Sequence, residues 1–260
     1  MLLAIDIGNT TIAFGVFEGK RLVKEWRAMS EREKTADEYG VLLLDLLRLA
    51  NLDPKVIHGV IISSVVPPLT PAFQALSQRL FVLKPLVVGP GLRTGMPILY
   101  ENPAEVGADR VVASVAAFEK YGGPCIVVDF GTATTFDSVT AKGEYLGGAI
   151  APGIQISAEA LYLRTAKLPR IEVVKPKRAI GKTTVASMQS GIYFGYVGLV
   201  NHIIEEIGRE LGGPPVIVVT GGFGAQFGPE IRGAHHLEPH LVLEGLRIIF
   251  DRNAGETPEE

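Results

Sequence analysis

The sequence predicts an α/β protein made of two similar halves, and three observations lead there. Apolar, strand-like runs alternate with amphipathic helical patterns along the 260 residues. A strand, loop and hairpin near the N-terminus recurs near the middle of the chain. Thirty glycines and seventeen prolines punctuate these elements with turns. Strands that alternate with helices favour a sheet covered on both faces. The halves are expected at residues 1–115 and 116–260.

The duplicated segments are "LLAIDIGNTTIAFGVFEGKRLVKEW", Leu2 to Trp26, and "CIVVDFGTATTFDSVTAKGEYLGGA", Cys125 to Ala149. Each opens with a short apolar strand and continues with Asp, one apolar residue and Gly. Asp6 then matches Asp129, Gly8 matches Gly131, Asn9 matches Thr132 and Thr11 matches Thr134. A second strand, a glycine turn ("EGK", "AKGE") and a third strand follow in both copies, as in hairpins.

Between the copies, "TADEYGVLLLDLLRLANL" carries a capping box from Thr35 to Glu38 and an apolar helical face. "KVIHGVIISSVV" reads as a buried strand, and "LTPAFQALSQRLF" as a helix with Pro71 in its first turn. "PLVVGPG" reads as another strand. Asn102, Pro103 and Glu105 read as a helix start leading into "GADRVVASVAAFEKYGG". After the second copy, helical patterns cover residues 153–164 and 184–211, "PPVIVVTGGFG" is strand then glycine loop, and "EPHLVLEGLRIIFDR" is a closing helix. The polar tail "NAGETPEE" is expected to fray. Gly191, Gly195 and Gly198, at three- and four-residue steps, predict close helix packing within a subunit or across a dimer.

Composition removes several function classes. The chain is 47% hydrophobic and 20% charged, with a net charge of -3 and a pI of about 6.0, so no basic excess points to nucleic acid. No uninterrupted apolar stretch is long enough to span a bilayer. "MLLAIDIGNT" lacks a basic n-region and reads as a first strand rather than a secretion signal. The single cysteine, Cys125, excludes an intramolecular disulfide and reads as a core residue, which suits a cytoplasmic location. The histidines, including "HH" at 235–236 and His240, form no zinc signature and read as surface residues. Ser63 and Ser64 lack a nucleophile-elbow setting. "AIGKTT" at 179–184 lacks the first glycine of a P-loop, and "DIGNTTIAFG" lacks dinucleotide-binding spacing. "KPKR" at 175–178 is a short basic run of a solvated loop.

The repeated Asp-x-Gly has a chemical reading. Glycine admits phosphate oxygens to backbone N–H groups, since no Cβ intervenes. Asn9, Thr10, Thr11, Thr132 and Thr134 add small polar donors. A strand-end aspartate can orient Mg²⁺ through its waters and offset triphosphate charge. Two such loops facing each other would grip a triphosphate from both sides. Gly221 and Gly222, after the strand "VIVVT", would let an adenine or ribose lie against backbone.

At these residues a resemblance enters. "DIGNT", "DFGTATTFD" and "TGGFG" resemble the phosphate-1, phosphate-2 and adenosine motifs of the actin-like ATPase superfamily. That resemblance implies duplicated, ribonuclease H-like domains with a nucleotide cleft between them. More narrowly, "DIGNTTIAFGVF", "GPGLRTGMPILYENPAEVGADRVV", "VVDFGTATTFD", "GGAIAPGIQIS" and "TGGFG" together resemble the type III pantothenate kinases, over most of the chain and in family order. The segment around 164–182 matches least well. The resemblance implies ATP-dependent phosphorylation of pantothenate, the first step of coenzyme A synthesis.

The resemblance also implies roles by position. Asp6, Ile7, Gly8, Asn9, Thr10, Thr11, Ile12 and Ala13 would hold ATP phosphates, with Asp6 near Mg²⁺, and Thr132 would contact ATP. Asp109 of "GADR" would be the general base, and Gly107, Ala108, Asp109 and Arg110 would line the pantothenate site with Tyr100 and Thr184. Asp129 would bind a monovalent cation, K⁺ or NH₄⁺; spacing alone leaves it between that ion and Mg²⁺. A homodimer is implied, with no nucleic acid or membrane partner.

A carboxylate at a glycine-marked helix start can take the alcohol proton, though a first-turn aspartate also suits the helix dipole. Arg110 can pair with a substrate carboxylate, contact another part of the substrate, or make a structural ion pair. Asp137 can support the site or serve as a strand polar group. Two other functions compete: another small-molecule kinase, which would carry a different acceptor block in place of "GADR", and a non-catalytic ATP-binding regulator, which would lack the base or the loop aspartates. Asp6, Asp109 and Asp129 are all present, which favours an enzyme.

Overall fold

The computed structural model describes residues 1–233 and 235–254, and the expected frayed tail beyond Ala254 lies outside them. Two compact units result: Met1–Ala116 together with the chain from His240, and Ala117–Pro239. The sequence division at 115/116 falls one residue from the first boundary, but it keeps the last helix with the second half.

In the first unit, β1 (Leu2–Ile7), β2 (Thr11–Glu18) and β3 (Arg21–Met29) form an antiparallel meander. Then come α1 (Ala36–Leu49), β4 (Gly59–Ser64), α2 (Thr70–Phe81), the two-residue β5 (Leu86–Val87) and α3 (Ala108–Tyr121), which carries the chain out of the unit. The sheet order is β3-β2-β1-β4-β5, with β4 parallel to β1. The central β1 is buried except at Asp6, as a strand covered on both faces requires. The edge strand β3 is largely exposed, and its charges at Arg21, Lys24, Glu25 and Arg27 discourage pairing with another chain. Leu3, Ile5, Phe14, Leu43, Ile62 and Phe73 meet in one core. Burying each such side chain stabilises the fold by roughly 1.5–3 kcal/mol. The expected capping box starts α1: Thr35 Oγ1 accepts from Glu38 N–H, and Glu38 Oε2 accepts from Thr35 N–H at 2.8 Å.

In the second unit, β6 (Cys125–Phe130), β7 (Ala133–Val139) and β8 (Tyr145–Pro152) repeat the meander. They lead to α4 (Ile154–Leu163), α5 (Thr184–Glu210), β9 (Val216–Thr220), the four-residue α6 (Gly224–Phe227) and β10 (His235–Leu237). Read from the hairpin edge, the order β8-β7-β6-β9-β10 repeats that of the first sheet, with β9 parallel to β6. The core joins Ile126, Val128, Phe130 and Phe136 to Tyr193, Tyr196 and Val200 of α5. The last helix, α7 (Leu241–Asn253), packs on β1, β2 and β4 of the first unit.

Some expectations change in detail. Asn102–Glu105 is not the start of α3 but a separate 3-10 turn, Pro103–Glu105, with Asn102 capping Ala104 N–H at 3.3 Å. The chain then turns at Gly107 before α3 begins. β10 was not predicted from "HHL", which has too little apolar alternation to signal a strand. The hairpins also differ: Asp6 pairs with Ala13, seven residues on, whereas Asp129 pairs with Thr135, six residues on. The second turn is one residue shorter. Thr134 therefore occupies the register position of Ile12, not that of Thr11. Among the described residues, no helix is long and apolar enough to cross a membrane.

Candidate active site

In the first unit, the loop Gly8–Thr10 joins the central strand to its hairpin partner and is closed by Gly8 N–H donating to Thr11 O at 3.0 Å. Asn9, Thr10 and Thr11 are exposed, whereas Ile7 and Ile12 are fully buried in the core and can offer only backbone to a ligand. Gly8 and Ala13 are half-buried. Asp6, half-buried, pairs in register with Ser63 of β4, so both strands bring their C-terminal ends to the loop.

The start of α3 stands beside those strand ends. Val65 N–H donates to Ile7 O at 3.0 Å. A Cβ placed on Gly107 would lie 3.5 Å from Val65 Cγ1 and 2.5 Å from Asp109 Oδ1. Gly107 thus leaves the Asp109 carboxylate room that any other residue would take. Asp109 Oδ1 accepts from Arg110 N–H at 2.8 Å. Burial raises the Asp109 pKa above the usual carboxylate value, against the N–H and charge of Arg110. A carboxylate of raised proton affinity suits a proton acceptor. Ala108 and Arg110 are half-buried next to it.

Tyr100, also half-buried, ends an irregular loop that α7 pins in place. Asn253 Oδ1 accepts from Arg93 N–H at 3.2 Å, Asn253 Nδ2 donates to Arg93 O at 2.9 Å, and Arg252 donates to Thr94 O.

In the second unit, Asp129, Gly131 and Gly221 converge. Gly221 follows β9 with φ +89°, and a Cβ there would lie 2.3 Å from Asp129 Oδ1 and 2.6 Å from the Phe130 backbone. A Cβ on Gly131 would lie 3.5 Å from the same Asp129 oxygen. Gly222 is exposed with open space above its Cα, and Thr132 is exposed at the turn. Phe223 N–H donates to Phe130 O at 3.3 Å, tying the third glycine loop to the second aspartate loop. Thr184 is exposed on the first turn of α5, on a different element of this unit.

Thr134 is not an available donor as expected: it is fully buried, and its hydroxyl is hydrogen-bonded to Tyr196. The shorter hairpin turn explains this, because it puts Thr134 at a core-facing register. Asp137 is buried and accepts from Tyr145 Oη at 2.7 Å and Thr135 Oγ1 at 3.1 Å, so it anchors the sheet from within. Sequence reasoning missed Gly153, the N-cap position of α4, which lies against the Gly131–Thr132 turn with no room for a side chain; the glycine in "APGIQIS" was the available signal. His236 is exposed and stacks on Tyr121, with centroids 3.9 Å apart, and His240 pairs with Glu25; the side chain of His235 lies outside the description.

The family model "Type III pantothenate kinase" matches residues 2–206. A type III pantothenate kinase of Koribacter versatilis is 55% identical, covering 99% of this chain and 97% of its own. One of Moorella thermoacetica is 55% identical, covering 97% and 100%, and one of Geobacter sulfurreducens 54%, covering 97% and 99%. Among solved structures, a putative Baf family transcriptional activator from Campylobacter jejuni aligns with a TM-score of 0.58 at 17% identity, covering 98% and 100%. A putative N-acetylmannosamine kinase from Listeria monocytogenes aligns with a TM-score of 0.53 at 12% identity, covering 97% and 99%. These structures share the fold, that of the actin-like ATPases and sugar kinases. The motif order, the repeated sheet and near full-length identity above 50% give one conclusion: the chain belongs to the type III pantothenate kinase family, kinases that transfer phosphate to an alcohol.

Proposed function

We propose that this protein transfers the γ-phosphoryl group of ATP to the primary hydroxyl of pantothenate, giving 4′-phosphopantothenate for coenzyme A synthesis, with Asp109 as general base. The observation that carries the base assignment is the half-buried Asp109 carboxylate beside Gly107, its proton affinity raised by burial. As the new oxygen–phosphorus bond forms, the hydroxyl proton passes to Asp109 and the bond to ADP breaks. Such a reaction depends on positioning and charge neutralisation. Arg110 pairs with the substrate carboxylate, and Tyr100, Gly107, Ala108 and Thr184 complete the acceptor site. Asp6 to Ala13 and Thr132 hold the nucleotide phosphates, and Gly221 and Gly222 support the adenosine.

Mg²⁺, when bound, offsets the phosphate charge. Among the described residues no group of three or more His, Cys, Asp or Glu could hold a metal ion. Mg²⁺ keeps waters and uses substrate phosphates with one or two carboxylates; Asp6 would hold it through water. Asp129 would hold K⁺ or NH₄⁺. Its Oδ1 lies against the backbone at Gly131 and Gly221, where oxygens can complete a loose shell.

A homodimer is supported by the second unit, which exposes Ile150, Ile156, Tyr162, Leu163 and Phe194 on β8, α4 and α5, with open space above Gly191, Gly195 and Gly198. Net charge of -3 argues against a nucleic-acid partner, and the lone buried Cys125 suits a reducing cytoplasm.

Single-turnover transfer by Asp109→Asn tests the base. A loss of about 10²- to 10⁴-fold with ATP binding retained is expected. A wild-type rate would remove Asp109 from that role.

A further inference from the structure

We infer that Tyr196 is a positioning residue for the phosphate loop between β6 and β7, acting through its hydroxyl bond with Thr134 on the strand that leaves the loop. The inference rests on the reading that this loop holds ATP.

Tyr196 lies on α5 and is 5% exposed. Its ring packs against Phe130 and Phe227, with centroids 6.0 and 5.0 Å away. Phenylalanine would fill that space equally well, so packing does not call for the hydroxyl, and a buried hydroxyl costs free energy unless it is bonded. One bond satisfies it, shared with Thr134 Oγ1, on the strand that leaves the loop.

The start of α4 supports the loop. A Cβ on Gly153 would lie 2.2 Å from Thr132 O and 2.7 Å from Gly131 O, so the helix start and the loop backbone touch without a side chain between them. The Tyr196 hydroxyl therefore holds the strand that leaves the loop, while Gly153 seats the loop backbone on α4. Asp129, which enters the loop, is close enough for its charge to act on the hydroxyl. Burial raises the Tyr196 pKa, the bond with Thr134 and the nearby Ile154 N–H oppose the rise, and Asp129 adds to it. The hydroxyl stays protonated through the neutral range, so its effect is constant with pH there.

The test compares wild type with Tyr196→Phe, Thr134→Val and Thr134→Ser, measuring ATP binding by calorimetry without pantothenate, both KM values, kcat and thermal midpoint. Loss of one buried hydrogen bond corresponds to about tenfold. Tyr196→Phe and Thr134→Val should each weaken ATP binding and raise the KM for ATP about tenfold, with the KM for pantothenate unchanged. The double variant should be no worse than either single one, and Thr134→Ser should remain near wild type. Wild-type ATP affinity in both single variants, or a fall in kcat and thermal midpoint alone, would overturn the positioning role. If the wild-type protein itself does not bind ATP, the kinase reading fails and this inference with it.

Discussion

Asp129 and Gly221 are fitted to each other: a Cβ on Gly221 would sit 2.3 Å from the Asp129 carboxylate. Gly221 also holds φ +89°, a conformation that L side chains rarely adopt. Gly221→Ala should therefore cost roughly 1–3 kcal/mol of stability and displace Asp129. Gly222→Ala, which meets open space, should leave the thermal midpoint unchanged. Thermal denaturation of the two variants beside wild type, with ATP titration of each, checks the contrast. Equal midpoints would remove the fit between Asp129 and Gly221 as a structural constraint.

Asp109 should set the acid limb of activity. Its pKa is raised, chiefly by burial, so the base form is lost at a higher pH than that of an unperturbed aspartate. The stability sign is opposite to that of a salt-bridged carboxylate. A raised folded-state pKa means the native state binds the proton more tightly, so its stabilising contribution is present at low pH and lost as pH rises through that pKa. Asp109→Asn should be more thermostable than wild type at neutral pH, with the gain vanishing in acid, while kcat falls about 10²- to 10⁴-fold. Thermal midpoints and kcat across pH measure both effects.

The loop proposed to hold the acceptor is pinned by the end of the last helix. Asn253 makes reciprocal hydrogen bonds with the Arg93 backbone, at 3.2 and 2.9 Å. Asn253→Ala should raise the KM for pantothenate several-fold, with each lost bond worth about 1 kcal/mol, and leave the KM for ATP unchanged. Steady-state kinetics in both substrates check the split.

Cys125 should be silent in the native state. It is fully buried, and burial pushes its thiol up to about 12. A thiol reagent at pH 8 should label no protein until denaturant is added. Rapid labelling without denaturant would contradict its place in the core.

Much of this was legible in the sequence because the signals are local. The capping box at Thr35, the buried run of β4 and the paired Asp-x-Gly loops each depend on neighbours within a few residues. The Gly107–Arg110 turn was legible as a block, but its separation from the Asn102 cap was not, because both look like helix starts. The role of Thr134 was misread since register, not composition, decides which face a threonine takes, and one residue fewer in the turn changes the face. Tyr196 lies 62 residues from Thr134, and nothing in either segment announces their bond. β10 owes its existence to pairing with β9 rather than to its own residues.

The most direct measurement of the central claim is product formation by the purified protein with ATP, Mg²⁺ and pantothenate, comparing K⁺ with Na⁺ and detecting 4′-phosphopantothenate by mass. Formation of that product, faster in K⁺, is expected. ATP binding without phosphoryl transfer to pantothenate under either cation would contradict the assigned reaction.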